Sequence, residues 1–365
     1  MRPKAIALLS GGLDSTLAVK LILDQGIEVE AMNFVTPFCT CNRQGRCEAQ
    51  HVAERFGIPI KVIGVVEEFF QVIRKPKYGY GSGMNPCLDC RILMFSRARE
   101  RMEELGAAFV FTGEVLGERP MSQRREAMRL IERESGLDGR LLRPLSAQLL
   151  PPTIPEKEGL VDRDKLMAIE GRSRKLQMAL AEQYSINDYP CPAGGCRLTD
   201  PGFARRMRDL VRHQEDFDPN DVNLLKVGRH FRLSPEAKAV VGRNQEENHR
   251  ILALAKEGDT LFEVQGWGSP VTLLRGQASE KEIHLAAAIT VRYSDAPVVR
   301  QGSPQAVRQG SPQAVRQGSP QAVRRGSPQA EKSEVVVRYG LDYTALDGNL
   351  RASSLEEDQL VGLRV

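Results

Sequence analysis

Within Ser10-Gly11-Gly12-Leu13-Asp14-Ser15 the chain gathers two hydroxyls, one carboxylate and two adjacent glycines, which is the chemistry of an anion cradle. Adjacent glycines permit positive φ and let a phosphate lie against the main chain, while Ser10 and Ser15 add donors beside the amides of a following helix. The Lys-Ser/Thr ending of a Walker A loop is absent, as is the spacing of a dinucleotide fingerprint, so neither a GTPase nor a dehydrogenase is the natural reading. An ordinary glycine turn between strand and helix competes with the cradle. The position of the loop, between the apolar run 5–9 and the helical pattern 16–23, and the match at every fixed position favour the cradle.

The second group with chemical potential is the cysteines, seven in all. Cys87-Leu88-Asp89-Cys90 opens a helical segment, where the partial positive charge and free amides favour the thiolate needed for metal ligation or attack. Cys191 and Cys196, in the loop Cys191-Pro192-Ala193-Gly194-Gly195-Cys196, can add to that pair. Cys87, Cys90 and Cys191 would suit a [4Fe-4S] cluster with one open iron, Cys196 being the alternative ligand. All four thiols would suit zinc, and a persulfide on Cys191 or Cys196 is a third chemistry. Inert buried thiols are disfavoured by the Pro- and Gly-rich surroundings. Cys39, Cys41 and Cys47 with His51 form another candidate cluster, whose spacing fits no common zinc template; incidental thiols near the active face are the alternative. His230 and His249 read as surface or packing residues.

Strands and helices alternate around these residues. Residues 27–34, 60–66 and 109–112 read as strands, and 49–56, 67–73, 87–105 and 162–183 as helices, the last carrying Arg172, Arg174 and Lys175. That rhythm predicts an α/β fold with a doubly wound, mainly parallel sheet, whose ligands bind beyond the carboxyl ends of the strands, where the Ser10 loop lies. The boundaries place a nucleotide-binding domain at 1–185, a Cys-containing loop and basic connector at 186–221, a smaller α+β domain at 222–345, and a loose tail at 346–365. Inside the second domain, Arg-Gln-Gly-Ser-Pro-Gln-Ala-Val occurs three times from Arg300, with an imperfect copy at 324–330. A period rich in Gly, Pro, Ser and Gln cannot bury a core, so 300–330 is expected to be a disordered insertion.

Composition narrows the setting. Fifty-one Lys and Arg residues against 47 Asp and Glu give a net charge of +4, too mild for a histone-like binder but compatible with basic patches on a phosphate backbone. Met1-Arg2-Pro3-Lys4 runs into the first strand without an apolar signal region, and no stretch approaches membrane-span length. A cytoplasmic protein, not associated with a membrane, is expected, and in that reducing compartment cysteines act as ligands or reactive thiols more often than as structural disulfides.

Three sets of residues carry a family resemblance. Ser10-Gly11-Gly12-Leu13-Asp14-Ser15, Thr112-Gly113-Glu114-Val115-Leu116-Gly117 with Ser122-Gln123, and Arg143-Pro144-Leu145 resemble the PP-loop ATP pyrophosphatase domain of 4-thiouridine synthases. Cys87 and Cys90 followed by Cys191 resemble the three cluster-binding cysteines of iron-sulfur-dependent tRNA thiolases. Val241-Gly242-Arg243-Asn244-Gln245-Glu246-Glu247-Asn248, Gly268-Ser269-Pro270 and Arg292-Tyr293-Ser294 are similar to the NFACT-R domain, which is associated with RNA binding. No THUMP or rhodanese domain accompanies the PP-loop as in many 4-thiouridine synthases, so the NFACT-R-like unit would replace THUMP and sulfide would be taken up directly.

The resemblance implies an ATP-dependent tRNA sulfurtransferase that adenylates a uridine carbonyl and replaces its oxygen with sulfur. ATP would lie on Ser10, Gly11, Gly12, Asp14 and Ser15, near Thr112 and Gly113, with adenine at Asn33 and Phe34 and Mg²⁺ at Asp14. Asp14, Ser15 and Cys191 would be catalytic, and sulfide or a sulfur donor protein would supply the sulfur. Arg172, Arg174, Lys175, Arg205, Arg206 and Arg208 are the candidate tRNA-phosphate contacts. The alternatives are a PP-loop enzyme that amidates or thiolates a small molecule, a persulfide- or zinc-type thiolase, and an RNA-binding protein without turnover.

Overall fold

A computed structural model describes the chain except residues 1, 40, 41, 44, 45, 188, 190–194, 298–333 and 342–345. Cys41, Cys191 and the repeats at 300–330 lie outside the described residues. The chain forms two compact units, Met1–Val222 and Asn223–Val365. No helix among the described residues is long and apolar enough to cross a membrane.

In chain order the first unit comprises β1 (Lys4–Leu8), α1 (Leu13–Leu23), β2 (Glu28–Val35), the short pair β3 (Asn42–Arg43) and β4 (Arg46–Cys47), α2 (Glu48–Phe56), β5 (Ile60–Gly64) and α3 (Val66–Arg74). It continues through α4 (Cys87–Glu104), β6 (Phe109–Thr112), α5 (Arg125–Ser135), β7 (Leu141–Leu142), α6 (Ile154–Lys157), α7 (Lys175–Gln183) and α8 (Pro201–His213), and its last residues, to Val222, begin α9 (Pro219–Leu224). The main sheet runs β5-β2-β1-β6-β7, every pair parallel. β1 is apolar throughout its middle because both faces are covered. Ala5 and Ala7 pack with Ala18, Ile22 and Val52 of α1 and α2, whereas Ile6 packs on the opposite face with Phe95, Ala98 and Ile131 of α4 and α5. Full burial of side chains such as Phe95 and Ile131 contributes about 1.5–3 kcal/mol each.

This is the doubly wound sheet the alternation predicts. After β1 the chain steps outward to β2 and β5, then crosses back to β6 and β7 on the other side of β1. The order therefore reverses beside β1, and the loop 10–12 leaves its carboxyl end at that switch point, where open α/β sheets bind ligands.

The helix expected over 162–183 forms only from Lys175 onward. Residues 163–165 make one 3₁₀ turn, in which Asp162 accepts from the Asp164 amide at 3.1 Å. Met167 N then donates to Pro144 O (2.9 Å), Ile169 N to Leu145 O (2.8 Å) and Gly171 N to Leu116 O (2.7 Å). Extended pairing satisfies these backbone groups and buries Leu166 and Ile169, and Gly171 at φ 84° turns the chain before α7.

The second unit contains β8 (Arg229–Arg232), β9 (Ala237–Val241), α10 (Gln245–Ala253), β10 (Thr260–Val264), β11 (Thr272–Gly276), α11 (Glu280–Arg292), β12 (Val335–Gly340), β13 (Gly348–Ala352) and α12 (Glu357–Val361). Its sheet runs β13-β12-β10-β11-β9-β8, all antiparallel. α11 starts at a Ser279/Glu282 capping box and lays Ala286, Ala287 and Ile289 on Phe231, Ala239 and Phe262. The segment after Asp347 is not loose: β13 places Leu350 opposite Val337, and α12 buries Leu360. Short alternation in a polar stretch hides that strand, because its partner supplies most of the stabilising contacts.

Candidate functional site

The loop after β1 owes its shape to close backbone packing. Gly11 has φ 78°, and a Cβ there would lie 2.6 Å from the Ala49 amide nitrogen and from Glu48 at the start of α2. Gly12 is the N-cap of α1 and offers no side chain, so no side-chain cap engages the first-turn amides. Ser15 Oγ donates to Gly12 O (2.9 Å) and lies 3.1 Å from Ser10 Oγ, and Thr16 Oγ1 also donates to Gly12 O (3.0 Å). Uncapped amides and two neighbouring hydroxyls at a helix N-terminus form a site suited to a phosphate.

Gly113 follows β6 and closes the cradle from the other side. A Cβ at that position would lie 2.4 Å from the Asp14 carbonyl carbon and the Ser15 nitrogen, so residue 113 must be bare for the two loops to meet. Thr112 is buried beside it. Asn33 donates through Nδ2 to Leu9 O at 2.8 Å and receives a weak contact from Cys47 Sγ at 3.7 Å. Its amide thereby ties β2 to the end of β1. Phe34 packs into the core with Ile6 and Phe95.

The electrostatic centre is Asp14. Arg174 Nη1 lies 3.2 Å from Asp14 Oδ2, and the same guanidinium binds Glu118. Burial pushes the Asp14 carboxyl up to about 6, Glu118 adds repulsion, and Arg174, Arg119 and the Gln177 amide pull the other way. Asp14 Oδ1 and both polar side-chain atoms of Gln177, a 0% exposed residue, have no hydrogen bond of good geometry among the described residues. A buried carboxylate oxygen with only the Gln177 amide nearby, beside a phosphate-type cradle, is a donor atom of the kind Mg²⁺ takes. Sequence reasoning missed Glu118, Arg119 and Gln177; a glutamine three positions after Arg174 on the buried face of α7 was the available signal. Arg174, expected as an RNA contact, is instead engaged with Asp14 and Glu118. Arg172, Lys175, Arg205 and Arg208 are exposed, and Arg206 lies over the Phe203 ring.

A second buried network brings separate motifs of the sequence together in space. Glu114, after β6, accepts from Arg143 Nε at 3.1 Å and pairs with Arg91 Nε at 3.3 Å, and Arg143 also binds Glu132. Glu114 and Arg143 side chains are each 2% exposed. Arg91 follows Cys90 on α4, so the network links the loop after β6 to the thiol-bearing helix.

Two thiols, Cys87 and Cys90, stand in the first turn of that helix. Cys87 is the first residue of α4 and its sulfur accepts from Asn85 Nδ2 at 3.1 Å. Burial raises the Cys90 thiol to about 12, while Arg91 favours its thiolate and Cys196, Cys87 and Cys39 oppose it. Cys196 is likewise pushed up to about 12 by burial, with Cys39 and Cys87 adding to the shift. The expected separate cluster of Cys39, Cys41, Cys47 and His51 is divided: Cys39 pairs across strands with Cys196, and Cys47 faces Asn33. Among the described residues no three His, Cys, Asp or Glu side chains converge to hold a metal ion. Nothing in the spacing signals that Cys39 lies opposite Cys196, because only the fold relates them.

Comparison with known proteins finds a match within each unit. Residues 3–133 match the model of the tRNA methyl transferase HUP domain, and residues 228–317 that of the NFACT protein RNA binding domain. A tRNA-specific 2-thiouridylase MnmA from Syntrophotalea carbinolica is 35% identical over 117 residues, 30% of this chain and 33% of that protein. The chain spans about a third of the length of the curated relatives it matches. Among solved structures, a 4-thiouridine synthetase–RNA complex with bound ATP is 22% identical, with 61% of this chain and 52% of that one covered and a TM-score of 0.33. The U34-tRNA thiolase NcsA from Methanococcus maripaludis with its [4Fe-4S] cluster is 18% identical, with 53% and 60% covered and a TM-score of 0.30. Two separate parts of the chain are thus each similar to a known domain, residues 3–133 to the tRNA methyl transferase HUP domain and residues 228–317 to the NFACT protein RNA binding domain.

Proposed function

We propose that this chain is an ATP-dependent tRNA sulfurtransferase of the cytoplasm. The observation that carries the reading is the uncapped start of α1 beside a half-buried, partly unsatisfied Asp14, in the same unit as a Cys-x-x-Cys pair opening α4.

In this reading the phosphates of ATP rest on the amides that open α1 and on the hydroxyls of Ser10 and Ser15, with Gly11, Gly12 and Gly113 keeping the main chain close and the nucleoside directed toward Asn33, Phe34 and Thr112. Asp14 would hold Mg²⁺, which when bound would neutralise pyrophosphate charge. The uridine carbonyl oxygen attacks the α-phosphorus and the bond to pyrophosphate breaks. Arg174, paired with Asp14, would neutralise the departing charge. Hydrosulfide, from sulfide or a sulfur donor protein, then adds to the activated carbon; AMP leaves with the former carbonyl oxygen and one proton is released.

Cys87, Cys90 and Cys191 would hold a [4Fe-4S] cluster that would supply a binding site for that sulfide; zinc on the same thiols is the competing group. The NFACT domain, with Arg172, Lys175, Arg205, Arg206 and Arg208, supports tRNA as the substrate, and the target base has to leave its stack to reach the cradle. Pyrophosphate release from ATP, measured with and without unmodified tRNA, tests the reading. Release should require tRNA and vanish in Asp14→Ala; release indifferent to tRNA would transfer the chemistry to a small molecule, and unchanged release by the variant would remove the loop assignment.

A further inference from the structure

Cys39 and Cys196 face each other in an isolated antiparallel bridge. Arg197 N donates to Phe38 O at 3.0 Å, so the bond flanks the pair and the two cysteines occupy a non-hydrogen-bonded position. At such positions Cα atoms lie about 4.5 Å apart and the side chains leave on the same face, within the range a disulfide spans. Both backbones are anchored before any bond forms. Phe38 is fully buried against the rings of Phe69, Phe70 and Phe203, with centroids 5.6, 6.2 and 6.0 Å away. On the other side Leu198 is buried, and Met84 N donates to Leu198 O at 3.0 Å. Thr36 Oγ1 lies 3.2 Å from Cys39 Sγ and fixes that sulfur's position.

We propose that Cys39 and Cys196 form a reversible disulfide, a redox modification site beside the thiols that open α4. The oxidant class is a small-molecule disulfide. The Cys39 thiolate attacks one sulfur of it and releases one small thiol, leaving a mixed disulfide on Cys39. Cys196 loses its proton and attacks Cys39 Sγ, the mixed bond breaks, and the second small thiol departs. Two protein thiols are oxidised and one small disulfide is reduced to two thiols. Burial of Cys196 makes the second attack slow and its disulfide, once formed, correspondingly sheltered from reduction. Oxidation would remove two thiols whose charge bears on Cys90; a consequence for turnover rests on the thiolation reading, whereas the bond itself does not.

The test uses the full chain, reduced and then exposed to oxidised glutathione, quenched by alkylation and mapped by mass spectrometry. The expected product is one linked peptide pair, Cys39 to Cys196, dominant over other pairings and fully lost with dithiothreitol. In Cys39→Ser the Cys196 thiol should be recovered alkylated or joined to glutathione, and in Cys196→Ser glutathione should remain on Cys39. A dominant bond between either cysteine and Cys87, Cys90 or Cys191, or full alkylation of both after exposure, would overturn the proposal. Pyrophosphate release measured on the same samples tests the nucleotide reading separately.

Discussion

Replacing Asp14 by asparagine should make the ligand-free protein more stable near neutral pH while abolishing its use of ATP. The Asp14 carboxyl sits at about 6 against an ordinary value of 3.8, so the folded state binds this proton more tightly than the unfolded one. Between those two values the unfolded chain therefore carries fewer protons, and stability falls as pH rises through that window. The shift of about 2 units corresponds to a cost of roughly 3 kcal/mol, present in full above the folded value and absent below the unfolded one. The asparagine variant would carry no such cost and would leave Arg174 paired with Glu118. Allowing for relaxation around that pair, the gain at about pH 7.5 is ~1–3 kcal/mol, or about 3–10 °C in Tm for a unit of this size. The assay is thermal unfolding of wild type and Asp14→Asn across pH, without nucleotide. The two curves should converge in acid and separate with rising pH, the variant above. A variant less stable than wild type near neutrality would refute the reasoning, since attraction to Arg174 would then outweigh burial.

Other perturbations address the remaining parts of the site. Glu114→Gln leaves Arg143 and Arg91 without their shared buried carboxylate, and should destabilise the protein by about 3–5 kcal/mol in urea unfolding. Gly113→Ala forces the loop after β6 away from Asp14 and Ser15 and should lower pyrophosphate release by about 100-fold, whereas Gly64→Ala, with open space around it, should leave release unchanged. Cys87→Ala and Cys90→Ala, purified without oxygen, should lose iron and acid-labile sulfide; stoichiometric zinc without labile sulfide in the wild type would replace the cluster by the zinc alternative.

The parts of this architecture legible in the sequence are those whose physics is local. Gly11 and Gly113 appear in the letters because no side chain fits between loop and neighbouring backbone, and β1 reads as a buried strand because both its faces are apolar. The extended run before α7 was hidden because its hydrogen bonds go to Leu116, Pro144 and Leu145, distant residues that override helical periodicity. Arg174 reads as a surface cation until the fold sets it against Asp14 and Glu118. Cys39 belongs by spacing with Cys41 and Cys47, yet a single antiparallel bridge gives it Cys196 as its neighbour. The strand at 348–352 became visible only beside β12, whose Val337 faces Leu350.

The most direct measurement of the central claim couples both halves of the chemistry in one vessel. Anaerobically prepared protein is incubated with ATP, Mg²⁺, sulfide and unmodified tRNA, and pyrophosphate and nucleoside composition are followed together. The account predicts thiolated uridine appearing in step with pyrophosphate, and neither product in Asp14→Ala. Pyrophosphate formed with no thiolated nucleoside would contradict it.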